Sequence, residues 1–191
     1  MKPLLPTLLL ALATGLAGAP ATAAPSARVT DPQAPRELPG DGPVRVSWSD
    51  PAGFSEITRS GNRHEAVRGD WVHELASHLE KTARARLAPG QQLQVRITDI
   101  DLAGDYEPWQ GPRMSEVRML RDIYPPRIAL HYTLQAADGS VLADADQVLT
   151  DPGYLHGIAG SRSNRDLHHD KRLLERWLQQ LLPAAEASAG R

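Results

Sequence analysis

The chain of 191 residues contains no cysteine. That excludes disulfides and a cysteine nucleophile, so a hydrophobic core must carry the stability even in an oxidising compartment. It also excludes the lipid anchor of exported lipoproteins, which requires a cysteine at the cleavage site. Lysine is scarce: Lys2, Lys81 and Lys171 are the whole set, and every other basic residue is arginine. Beside abundant alanine, this bias reflects a G+C-rich genome, and the arginines are not read as a recognition signal. Excess positive charge is lacking too. Basic and acidic residues number 21 and 23; without Lys2 the balance is 20 against 23, net −3. Such a balance argues against nucleic acid or a strongly anionic membrane as partner. No phosphate-binding glycine loop and no G-x-S-x-G elbow occurs, and there is no internal repeat.

What is present begins with a charged start, the apolar stretch "LLPTLLLALATGLAGA" and the small-residue site "ATAAPSA". The stretch holds Pro6 and Gly15 and is short against the ~20 residues of a membrane span. It is read as a secretory signal peptide, residues 1–23, cut after Ala23, where Ala21 and Ala23 fill the two small positions. The expected product is exported to the periplasm, soluble, with no stable membrane anchor after cleavage; secretion beyond the envelope is left open. Residues 24–43 are rich in Pro, Ala and Gly without apolar periodicity, which predicts a disordered leader, and 184–191 predict a disordered tail. One domain remains, residues 44–183.

Within it, "VRVSW" alternates Val44, Val46 and Trp48 against polar residues, a half-buried strand. "DPAGFSEITRSGN" reads as loop. A helix is predicted from about Glu65 to Leu87, with Trp71, Leu75, Leu79 and Ala83 at four-residue steps, ended by Pro89 and Gly90. In "QLQVRITDIDL" the apolar parity shifts from Leu93, Val95 and Ile97 to Ile100 and Leu102. That predicts a bulge near Thr98 and Asp99. An irregular stretch follows, with "EVRML" favoured as a short strand. "RIALHYTL" and "VLADADQVL" form a hairpin through a two-residue turn at Asp138-Gly139, which sets His131 opposite Asp146 and Thr133 opposite Asp144. A last amphipathic helix carries Leu173, Leu174, Trp177, Leu178, Leu181 and Leu182. The order β-α-β-loop-β-β-α predicts an α+β fold, a mainly antiparallel sheet with two helices packed on one face. Trp48, Trp71 and Trp177 are predicted to be buried together.

"WVHELASHL" holds His73, Glu74 and His78 and superficially suggests a zinc peptidase. The zinc signature needs histidines four apart, so that both point the same way. Here they are five apart and diverge by ~140° around a helix, which puts them on opposite flanks of the apolar stripe. His168 and His169, with Asp170, are neighbours in a first helical turn and are read as solvated polar residues. No catalytic residue, no metal site and no cofactor is assigned.

"TDIDLAGDYEPWQGP" and "VRMLRDIYPPRIALHYTL" carry a resemblance. Together with a final helix bearing Trp177 after Leu173 and Leu174, they resemble the bacterial domain-of-unknown-function family 3016, small exported proteins. The matching segments are Thr98–Gly104, Glu107–Pro112, Asp122–Ile128 and Leu173–Trp177, within about residues 44–182. The family's aromatic-acidic-basic triplet before the last helix is approximated by His169-Asp170-Lys171. The resemblance implies a compartment and a fold, and no activity.

Three functional readings follow. In the first, the protein is a non-enzymatic binding or accessory module that docks an envelope protein or cell-wall component through the loop Gly104–Pro126. Tyr106, Trp109, Arg113, Arg118, Tyr124 and Arg127 are its candidate contacts, since aromatics with arginine are the usual interface anchors. The carboxylates Asp99 and Asp101 would hold the loop by pairing with Arg113, Arg118 or Arg127. In the second, Asp99, Asp101, Asp105 and Glu107 bind a divalent cation or a small ligand, although Ala103 and Gln110 stand where a calcium loop needs ligands. In the third, Asp99 and Asp101 are the acid and base of a hydrolase.

Overall fold

Strand alternation and helical periodicity set the main elements. The structure, a computed structural model, describes residues 28–156 and 167–182; the segment 1–23 read as a signal peptide and the tail 184–191 lie outside them. In chain order the elements are β1 (Val44–Trp48), α1 (Ser55–Thr58), α2 (Arg63–Ala66), α3 (Trp71–Arg84), β2 (Gln92–Asp101), β3 (Asp105–Tyr106), β4 (Arg118–Met119), β5 (Arg127–Gln135), β6 (Val141–Thr150) and α4 (His168–Leu181). The sheet runs β1-β2-β5-β6, with β1 parallel to β2 and the other pairs antiparallel. The parallel pair follows from the crossover through α3, which strands of one direction require. β3 and β4 form a separate two-stranded ribbon. This is the α+β architecture read from the element order.

One face of the sheet is the core. Val44, Val46, Leu93, Val95, Ile97, Leu130 and Leu134 meet Leu75 and Leu79 of α3 and Leu174 and Leu178 of α4, all buried. Trp48, Trp71 and Trp177 belong to the same cluster. The opposite face carries Arg45, Gln94 and Arg96, exposed to water. The parity shift in β2 is a bulge: pairing moves from Ile97 with Leu130 to Asp99 with Ala129, leaving Thr98 over. One extra residue returns Ile100, opposite Ile128, to the core.

The hairpin register is as read. His131 pairs with Asp146, Nδ1 to Oδ1 at 3.1 Å, and Thr133 donates to Asp144 at 2.7 Å. Its turn is one residue longer than predicted. Ala136 N–H bonds Ser140 O, Gly139 N–H bonds Ala136 O, and Gly139 sits at φ 83°. A three-residue loop with a left-handed last residue supplies the twist that flanking strands need, and a register shift at Leu134/Gln135 absorbs it.

Other expectations are corrected. The helix from Glu65 to Leu87 is two helices, α2 and α3, because the chain between them pairs elsewhere: Val29 N–H bonds Val67 O and Arg28 bridges Arg68. The Trp71 indole then donates to the free Ala66 carbonyl at 3.0 Å. The segment read as loop before it contains α1, with Phe54 and Ile57 buried; two apolar residues are too few to show a helical period. The segment read as disordered leader lies on the domain from Arg28 onward. Val29 is buried, and Leu38 N–H to Val46 O and Trp48 N–H to Arg36 O cover the outer edge of β1. A strand edge left bare would invite other chains. Finally, His169 and Asp170 are not solvated: they are 2% and 0% exposed.

Candidate functional site

The end of β2 and the excursion after it are held by buried charges. Asp99, just past the bulge, accepts Ser55 N–H at 2.7 Å, Ser55 Oγ–H at 2.8 Å and Arg127 Nη1–H at 2.6 Å. Its carboxylate thus satisfies the open N-terminus of α1 and fixes the start of β5. Glu56, one residue on and 3% exposed, accepts Leu102 N–H at 3.0 Å and grips the guanidinium of Arg118. Arg118 also donates to Gly104 O at 2.6 Å and lies over the Tyr106 ring, 4.7 Å from its centroid. Burial pushes the Glu56 carboxyl up to about 7, against the opposing pull of Arg118.

The turn out of β2 requires Gly104. Its φ is 81°, and a Cβ there would stand 2.7 Å from Met119 O and from Leu120 Cδ2. Next, Asp105 Oδ1 accepts Tyr106 N–H at 2.7 Å, Gly61 N–H at 3.2 Å and Ser60 Oγ–H at 3.3 Å. Glu107, 1% exposed, takes Tyr124 O–H at 3.0 Å, Arg121 at 2.7 Å and the Gln110 amide. The ribbon β3–β4 therefore has both ends pinned, and residues 108–117 project from it. A short 3-10 turn, Pro108–Gln110, presents Trp109, 69% exposed.

The candidate docking residues thus separate. Trp109 and Arg113 are exposed, and Arg113 makes no ion pair or hydrogen bond among the described residues. Arg118, Tyr124 and Arg127 face inward, to Glu56, Glu107 and Asp99, and Tyr106 lies under Arg118. Asp99 holds the loop base through Arg127. Asp101 does not: no hydrogen bond or ion pair reaches its side chain among the described residues. Its role in bracing Arg118 is taken by Glu56, which sequence reasoning missed. Glu56 lies in a short segment without periodicity, and its partner is 62 residues away. Asp170, read from the sequence as solvated, is instead buried, and its Oδ1 accepts Ala103 N–H at 3.0 Å.

The histidines of α3 point apart. His73 is exposed, 3.8 Å from Asp70, whereas His78 Nε2 lies 2.9 Å from Glu175 of α4. No group of three or more His, Asp or Glu side chains is placed to hold a metal ion among the described residues. No described helix is long and apolar enough to cross a membrane.

Fold and site together define a small α+β domain that presents one internally braced loop. The family model described as "Protein of unknown function (DUF3016)" matches residues 42–180, and the chain belongs to that family. No curated protein and no solved structure matches it.

Proposed function

We propose that this protein is an exported, non-enzymatic binding module of the cell envelope, which captures a protein partner on the loop 104–126 with Trp109 as anchor. The observation that carries the reading is the exposure of Trp109 on a loop whose root is tied down by Glu56, Asp105 and Glu107. A large aromatic side chain in water, held on a preordered backbone, loses little further entropy on docking. Arg113, exposed on the same loop and without an ion pair among the described residues, supplies a cation of the kind enriched at interface centres. Asp99, Asp105 and Glu107 favour neither a divalent-cation site nor a hydrolase. Asp99 and Glu107 are taken up by arginine and amide partners, and Asp105 Oδ1 already accepts three donors.

Placing a photocrosslinker at position 109 and purifying from the native envelope tests this. A discrete crosslinked protein, lost when Arg113 is replaced by alanine, is the expected result. Uncrosslinked monomer, or attachment to cell-wall fragments alone, overturns the protein-partner reading. Export is checked separately by intact mass: the mature chain begins at Ala24 if residues 1–23 are removed.

A further inference from the structure

Between the end of β2, the C-terminus of α1 and the segment 123–127 lies a cleft of about 180 Å³. Most of its polar lining is already engaged. Glu56 holds Arg118, Asp105 holds the 60–61 turn, Tyr124 donates to Glu107 and Arg127 donates to Asp99. Two lining side chains of opposite sign remain, Asp101 and Arg59, and neither side chain makes a hydrogen bond or ion pair among the described residues. Arg127 stands directly opposite Asp101 in the strand register, yet its guanidinium turns to Asp99 at 2.6 Å.

Asp101 is therefore a half-buried carboxylate beside two others. Burial first, then Asp99 and Asp105, push its carboxyl above the ordinary range, with Arg59 and Arg118 opposing only in part. An ammonium group beside Asp101 would favour its ionised form by charge complementarity. The described residues offer no cluster of three metal ligands, so a single free carboxylate suits an ammonium rather than a chelated ion. Arg59 offers the complementary fork for a carboxylate. The cleft is smaller than the roughly 300–1,000 Å³ of sites for drug-sized ligands, which limits the occupant to amino-acid size.

We propose that this cleft binds a small α-amino acid as its zwitterion, with the ammonium group on Asp101 and the carboxylate on Arg59. The cleft lies at the root of the loop that bears Trp109, and the proposal does not rest on the docking one.

The test is amide NMR of the exported chain titrated in turn with glycine, alanine and lysine, then with methylammonium and with acetate. Saturable shifts at Arg59, Ser60, Asp101 and Leu102 with at least one amino acid are expected. Either singly charged compound should bind at least about tenfold more weakly, since each forfeits one charge-assisted contact. Asp101→Asn and Arg59→Gln should each weaken binding about tenfold or more. Both variants should fold, because neither side chain makes a hydrogen bond among the described residues. No shift with any of the three amino acids overturns the proposal; it would mean that Arg59 and Asp101 satisfy each other in solution. Equal binding of acetate or methylammonium, or undiminished binding by the variants, overturns it as well.

Discussion

Asp170 Oδ1 accepts the amide hydrogen of Ala103 at 3.0 Å, joining the first turn of α4 to the end of β2 across 67 positions. Both residues are fully buried. His169 packs beside this contact against Tyr154, ring centroids 4.8 Å apart, and the Tyr154 hydroxyl donates to Arg121 O at 2.9 Å. The last helix and the projecting loop are thereby fixed to the same strand end. Motifs far apart in the chain, "TDIDLAG" and the triplet His169-Asp170-Lys171, meet at one place.

Asp170→Ala should destabilise the domain by about 1–3 kcal/mol, the cost of leaving a buried amide without its acceptor. Asp170→Asn keeps an acceptor and should cost less. Urea unfolding of both variants measures the difference.

Gly104→Ala should cost more than Gly139→Ala. Both glycines have positive φ, 81° and 83°, so each alanine bears the left-handed penalty of about 1–2 kcal/mol. Only at Gly104 does the added Cβ meet backbone, Met119 O at 2.7 Å; at Gly139 nothing lies within 4 Å. Equal losses on denaturation would mean that the ribbon shifts freely away from β2.

Trp71→Ala should cost about 3–5 kcal/mol, because the indole is buried and its N–H is bonded to Ala66 O. Trp109→Ala should stay within about 0.5 kcal/mol of the parent, as surface changes do. Thermal melts of the two variants separate a core tryptophan from a presented one.

Glu56 imposes a pH dependence of stated sign. Its carboxyl is raised by burial from 4.5 to about 7 in the folded protein, so the folded state holds this proton more tightly than the unfolded chain. The corresponding stability is fully present below 4.5 and is lost as pH rises toward about 7. The melting temperature of Glu56→Gln should therefore fall less over that interval than that of the parent. Parallel curves would show that the Arg118 contact keeps Glu56 ionised throughout.

Local pattern was enough for the main strands, their faces and the β5–β6 hairpin. Alternation is a property of a single strand, and the Asp138-Gly139 turn sets the sum of paired residue numbers, so His131 could be matched to Asp146 without a structure. The parity change between Ile97 and Ile100 required an extra residue, and Thr98 is that residue. Helical ends were less legible. The Trp71 stripe continues backward to Glu65 in sequence, but pairing of Val29 with Val67 breaks the helix, and nothing in the periodicity announces that pairing.

By itself, then, the sequence determined the fold class, the register of the β5–β6 hairpin, the shared core of Trp48, Trp71 and Trp177, and the separation of His73 from His78. Each depends on backbone geometry repeating over a few residues. Only the tertiary structure decided which carboxylate holds which arginine. Several arginines lie near the loop with the same charge and reach, so composition alone leaves Asp99, Asp101, Glu56 and Glu107 interchangeable. Three-dimensional placement makes them distinct. Asp99 takes Arg127, Glu56 takes Arg118, Glu107 takes Arg121, and Asp101 is left facing the cleft.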